Sequence, residues 1–102
     1  MIDLKPIFLK KVKKILAGNV PEYEVLVYGA RAGSKAKTYS YLDLAIMTDK
    51  PLAAARLEKL TAAFQAADLP FRVETVDWAG TGAGFRKEIK RTAVVLQAPA
   101  KP

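Results

Sequence analysis

The sequence predicts one α/β (α+β) domain, a small mixed sheet covered by helices. Three observations predict it. The chain has 102 residues, room for a single compact domain. Its 51% hydrophobic content can fill one core. Segments of helical and strand periodicity follow one another with no internal repeat and no low-complexity linker. The domain is expected over residues 1–97, with 98–102 as a loose tail.

The first element is an amphipathic helix from Leu4 to Ala17. Leu4, Phe8, Val12, Ile15 and Leu16 form one stripe, and Lys10, Lys11, Lys13 and Lys14 lie mainly off it. Asp3 and Pro6 suit its start, and Gly18-Asn19 its stop. Glu24 to Tyr28 is a short apolar strand after the break at Pro21. Gly29 to Lys35 can make a tight turn and a short helix. Tyr41 to Met47 reads as a second strand, with Tyr41, Asp43 and Ala45 on one side and Leu42, Leu44 and Ile46 on the other. Thr48 or Asp49 is expected to cap the next helix, with Pro51 in its first turn. That helix, Leu52 to Ala67, is expected to bury Ala53, Leu57, Leu60, Phe64 and Ala67. Phe71 to Trp78 is a third strand, Gly80 to Gly84 a flexible loop, Phe85 to Arg91 a last helix, and Ala93 to Leu96 an edge strand.

Composition then removes whole classes of chemistry. There is no cysteine and no histidine, so disulfides, thiolate or imidazole metal sites and histidine-based triads are excluded. Any metal must be a hard cation held by oxygen. Lysine and arginine number 17 against 10 acidic residues, a net charge of +7 that attracts anions such as nucleotides, nucleic acid or an acidic partner. No apolar run reaches membrane-span length and no signal-peptide pattern is present, so a soluble, cytoplasmic domain without membrane contact is expected.

The informative stretch is Tyr28-Gly29-Ala30-Arg31-Ala32, followed by Ser40-Tyr41-Leu42-Asp43-Leu44. Ten residues, 31–40, separate Ala30 from Tyr41. Further on comes Arg72-Val73-Glu74-Thr75-Val76-Asp77. This ordered set resembles the signature of the nucleotidyltransferase superfamily, and within it the minimal nucleotidyltransferases (MNT). Their pattern is Gly-Ser, ten residues, Asp-x-Asp on a strand, and a third carboxylate on a later strand. The resemblance runs from about Val20 to Gln97 and includes Asp77-Trp78 and Phe85-Arg86.

The chemistry explains the pattern. Residues i and i+2 of a strand share a face, so paired carboxylates there can grip magnesium. A third carboxylate on a neighbouring strand can complete the cluster or deprotonate the attacking hydroxyl. The glycine-serine turn can hold phosphate oxygens through its N–H groups and hydroxyl. The resemblance therefore implies a nucleotidyltransferase fold and the use of ATP and Mg2+. It assigns the Gly29-Ala30 turn to the nucleotide phosphates, places Tyr41 and Asp43 at the magnesium-binding positions, and gives Glu74 to metal or base.

Two positions depart from the pattern. Ala30 stands where the serine belongs and has no hydroxyl. Tyr41 stands at the first aspartate, and a phenol is neutral at pH 7, bulky and a poor magnesium ligand. Weakened ATP and metal binding and impaired catalysis are expected. Asp77 competes with Glu74 as the third carboxylate, but alternation puts Glu74 with Arg72 and Val76, and Asp77 on the opposite face. Arg31 is a candidate phosphate contact or a plain surface charge. The lysines of the first helix are a solvated face or, less favoured, a nucleic-acid contact. Gly80, Gly82 and Gly84 lack the Gly-Lys-Ser/Thr continuation of a phosphate loop and read as a turn. Trp78 is core or a partner contact.

The family resemblance implies an antitoxin that transfers AMP from ATP to a tyrosine of a HEPN-type ribonuclease toxin, with which it forms a hetero-oligomer. Two other readings stand beside it: a non-catalytic module that neutralises the toxin by contact, and a basic RNA-binding accessory domain.

Overall fold

Pro6 opens the first helix, α1 (Pro6–Asn19), because its fixed φ is pre-set for the first turn. The structure, a computed structural model, describes residues 2–100. The helix start expected at Asp3 lies instead at Lys5, which makes no side-chain cap. The backbone of Asp3 is engaged elsewhere: its N–H donates to the Arg31 carbonyl and its own carbonyl accepts from the Arg31 guanidinium. Val12 and Leu16 are buried on the expected stripe, and Leu4, Phe8 and Ile15 pack beside them. The four lysines are exposed.

The remaining elements follow as β1 (Val25–Tyr28), β2 (Leu42–Ile46), α2 (Ala54–Ala66), β3 (Val73–Asp77), α3 (Ala83–Thr92) and β4 (Val94–Gln97). Short 3-10 turns at Gly29–Ala32 and Trp78–Gly80 follow β1 and β3. The strands form one mixed sheet in the order β3-β2-β1-β4, with β1 antiparallel to both neighbours and β2 parallel to β3. β4 is an edge strand, as its sequence predicts.

Entry into α2 differs from expectation. Thr48 does not cap the helix; its buried hydroxyl donates to the Asp77 carboxylate. That carboxylate also accepts the N–H of Leu52 at 2.6 Å and of Ala79 at 3.3 Å. A β3 side chain therefore organises the approach to α2, and the helix proper starts after Ala53. Pro51 precedes the helix rather than sitting in its first turn. Ala53 is exposed because it lies before that start, whereas Leu60 and Phe64 are buried as expected.

Alternation divides the sheet into two faces. Val25, Val27, Leu42, Leu44 and Ile46 join Val12, Leu16, Leu60, Phe64 and Phe71 in the main core beneath α1 and α2. Leu26, Tyr28 and Ala45 point the other way and pack with Ile89 of α3. The tail is tied down at one point, where the Ala100 N–H donates to the Pro21 carbonyl at 2.8 Å. The last two residues of the expected tail, 101 and 102, lie outside the described residues.

Candidate functional site

The face beneath α3 is covered only in part, and its uncovered end carries the carboxylates. Parallel pairing of β2 and β3 sets Asp43 directly beside Glu74. Antiparallel pairing of β1 and β2 sets Tyr28 on the other side of Asp43. Directly paired residues share a sheet face, so the order across it is Glu74, Asp43, Tyr28. The Tyr28 ring is buried and meets the Phe85 ring of α3 edge-on, at 5.8 Å between centroids.

The electrostatics follow from this crowding. Partial burial raises the Asp43 pKa above the ordinary carboxylate value, and the negative charge of Glu74 raises it further. Burial also raises the Tyr28 pKa, with the Asp43 and Glu74 charges adding to it. Asp43 is therefore an incompletely neutralised carboxylate, an arrangement a hard cation would relieve.

Gly29 shows why the turn needs glycine. Its φ is +76°, and a Cβ there would stand 2.9 Å from Asp43 Oδ2. The turn thus packs its backbone against the carboxylate. Its N–H is not free for phosphate, because it donates to Thr92 Oγ1 at 3.0 Å. Thr92 has no signal in the sequence: only the fold brings the end of α3 to a turn so distant along the chain. Ala30 is exposed, so a serine hydroxyl would fit there without displacing the core.

Tyr41 lies just before β2 and is 49% exposed. Arg72 stands over its ring, with Cζ 5.8 Å from the centroid. The same guanidinium forms an ion pair with Glu74, Nε to Oε1 at 2.9 Å. Arg31 is placed differently from the expected phosphate contact. It is buried, and its guanidinium donates to the carbonyls of Asp3, Lys37, Thr38 and Ser40 while lying 4.5 Å from the centroid of Phe71. These bonds fix the loop that leads to Tyr41. Asp77, spent on Thr48, Leu52 and Ala79, stays apart from the Asp43–Glu74 pair. Trp78 is partly buried in the smaller core, with Arg86 and Lys90 over its ring.

Among the described residues no group of three acidic side chains is assembled for a metal ion. Two oxygen-donor carboxylates on one face fit a single hard cation that draws its other ligands from water or phosphate. No helix among the described residues is long and apolar enough to cross a membrane.

No protein-family model matches the chain. A curated relative, the "probable protein adenylyltransferase MntA" of Haemophilus influenzae, is 44% identical over 100 residues, covering 98% of this chain and 88% of that protein. Among solved structures, a toxin-antitoxin with AMP-PNP superposes with a TM-score of 0.74 at 18% identity, over 91% of this chain and 74% of the other. The MNT antitoxin in complex with a tri-AMPylated Shewanella oneidensis HEPN toxin superposes with a TM-score of 0.69 at 17% identity, over 91% and 71% of the two chains. These superpositions show the same fold. The match to the Haemophilus influenzae protein extends across nearly the whole chain at 44% identity, and on that ground the chain belongs to the MntA family of minimal nucleotidyltransferases.

Proposed function

We propose that this protein is the antitoxin of a toxin–antitoxin pair, binding a HEPN-type ribonuclease toxin in the cytoplasm, and that its adenylyltransferase site is impaired. Residues 1–97 act as one nucleotidyltransferase-like domain. The observation that carries the reading is the Asp43–Glu74 pair on adjacent strands, with a tyrosine where the family has its other aspartate.

The residues would divide the work as follows. Asp43 and Glu74 would hold magnesium, which when bound supplies positive charge to the triphosphate. Gly29 lets the turn approach Asp43 closely, and Thr92 holds that turn by its N–H. Glu74 can accept the proton of an acceptor hydroxyl as that oxygen attacks the α-phosphorus of ATP and pyrophosphate departs. Ala30 withholds one phosphate contact. Tyr41 withholds one ligand, so ATP and Mg2+ bind weakly and transfer is slow.

Binding of the toxin needs no intact metal site, because interfaces rest on shape, apolar anchors and rim charges. Co-expression with the HEPN-type protein of the same operon, followed by size-exclusion chromatography without ATP, should give one co-eluting complex. Separate elution at micromolar concentration, with RNA retained on this chain, would replace the antitoxin reading with the RNA-binding one. Mass spectrometry of the toxin separates impaired catalysis from contact alone. The A30S/Y41D double variant should add AMP to a toxin tyrosine, and the unchanged chain should add little or none.

A further inference from the structure

Between β1 and β2 the chain spends a buried arginine on shaping an exposed loop. Arg31 donates to the carbonyls of Lys37, Thr38 and Ser40, and to that of Asp3 before α1. The turn at 37–40 is closed twice more. The Ser40 N–H donates to the Lys37 carbonyl at 3.0 Å, and the Lys37 N–H donates to Ser40 Oγ at 2.9 Å. A loop held in this way loses little freedom when a partner binds it. Tyr39 within that turn is 80% exposed, more than any other large hydrophobic side chain among the described residues. Lys35 and Lys37 are exposed beside it and form no ion pair among the described residues. Residues 33–41 contain no acidic side chain. Lys37 and Lys5 line one groove together with Phe8 and Phe71, and Asp3 is the only acidic residue among the described ones that line it.

We infer that this loop binds single-stranded RNA, with a base stacked on Tyr39 and neighbouring phosphates on Lys35 and Lys37. Asp43 and Glu74 take no part in it. Positive charge alone would suit any anion, and the combination of side chains narrows the choice. Protein interfaces are enriched in tyrosine but depleted in lysine. Single-strand sites use both, an aromatic face for the base and a cation for the phosphate. The lysines of α1 carry charge with no aromatic among residues 10–14, so they offer only half of that pair. Lys35 and Tyr39 are separated by at most about 14 Å of extended chain, so a strand of a few nucleotides reaches both. The choice of RNA over DNA rests on the proposed function, in which the partner of this chain is a ribonuclease.

Fluorescence anisotropy of the full chain with a labelled oligouridylate of about twelve nucleotides, read across a salt series, tests this. Y39A should weaken binding about tenfold, and Y39F less than about twofold, because stacking needs the ring and not the hydroxyl. K35Q/K37Q should lower the slope of log affinity against log salt by about 1.4, which is two single-strand phosphate contacts at about 0.7 each. K13Q/K14Q removes the same charge from α1 and should change that slope less than half as much. All these side chains are exposed, so thermal unfolding of the variants should match the parent. Polyglutamate of equal charge should compete about tenfold less well than unlabelled oligouridylate, since it offers no base to stack. Unchanged affinity in Y39A or equal losses in the two double variants would overturn the inference. Equal competition by polyglutamate would also overturn it, in favour of an acidic protein partner, and tighter binding of oligodeoxythymidylate would overturn the assignment to RNA. Complex formation with the toxin is read separately. Its absence alongside Tyr39-dependent binding of the oligouridylate would count against the antitoxin proposal and leave this one standing.

Discussion

One face of the sheet is closed by two helices, and the other is half covered by one. On the closed face, Val25, Val27, Leu42, Leu44 and Ile46 are fully buried under α1 and α2. On the open face, α3 contributes a single buried residue, Ile89, and the strands present Tyr28, Asp43 and Glu74 instead of a full apolar set. The same strands serve both purposes because alternation lets each face be specified independently. The closed face supplies the stability that allows the open face to hold a carboxylate at a raised pKa. Such division is the usual relation between a scaffold and a site.

The largest effect should come from breaking the closed face. Leu60 is fully buried between α2 and the sheet, so Leu60→Ala should lower unfolding stability by about 2–5 kcal/mol. Phe85→Ala on the open face removes an aromatic that is 45% exposed and should cost less than about 1.5 kcal/mol. Urea denaturation of both variants measures the contrast. Equal losses would show that the open face carries as much of the fold as the closed one.

Next in size is Gly29→Ala, which strikes where the turn meets the open face. The positive φ and the approach of a Cβ to Asp43 Oδ2 together should cost roughly 1–3 kcal/mol. Thermal unfolding reads the strain. In the A30S/Y41D background, toxin AMPylation should also fall, because the added methyl pushes the Asp43 carboxylate aside. A variant with parental stability would mean the turn can relax without disturbing Asp43.

A change of opposite sign sharpens the comparison. Asp43→Asn removes a carboxylate that burial and Glu74 both disfavour, so the melting temperature at pH 7 should rise by a few degrees. The sign follows from linkage. A carboxyl whose folded pKa is raised favours the folded state below that pKa, and this contribution is lost as pH rises through it. The gap between parent and variant should therefore narrow toward acid pH, as protonation neutralises Asp43. A drop in melting temperature at pH 7 would mean that Asp43 stabilises the fold.

These contrasts also show what the sequence could carry. The helices, strands and the Asp43–Glu74 face were legible because each rests on local periodicity or on spacing within a strand. The family resemblance joins Asp43 and Glu74 in one site, whereas the strand order and register come from tertiary pairing. Helix starts are less legible: Asp3, Thr48 and Asp49 look like caps, yet Asp3 and Thr48 are bound to Arg31 and Asp77 by contacts distant in sequence. Arg31 followed the turn and suggested a phosphate ligand, whereas burial commits it to carbonyls. Thr92 meets Gly29 only through the packing of α3. Arg72 was visible as a neighbour of Glu74, but its place over Tyr41 is a matter of rotamer and tertiary approach.

The smallest expected effect lies on the rim of the closed side, away from the site. Arg56 of α2 forks onto both carboxylate oxygens of Glu22, at 2.7 and 2.9 Å, and also donates to the Asn19 carbonyl at the end of α1. The hydrogen bond from Arg56 is the main reason the Glu22 pKa falls from 4.5 to about 2. A depressed carboxyl pKa gives stability that is present above the unfolded value and lost as pH falls toward the folded one. The pair therefore contributes fully above about pH 5 and fades between about pH 4.5 and 2. The Arg56 and Glu22 side chains are 37% and 49% exposed, so salt screening and side-chain entropy keep the contribution small. Melting curves of the parent and Glu22→Gln should differ slightly at pH 7 and low salt, and converge both as pH falls to about 2 and in 1 M salt. A gap that persists in acid would mean that the contact between α1 and α2 depends on the shape of residue 22 rather than on its charge.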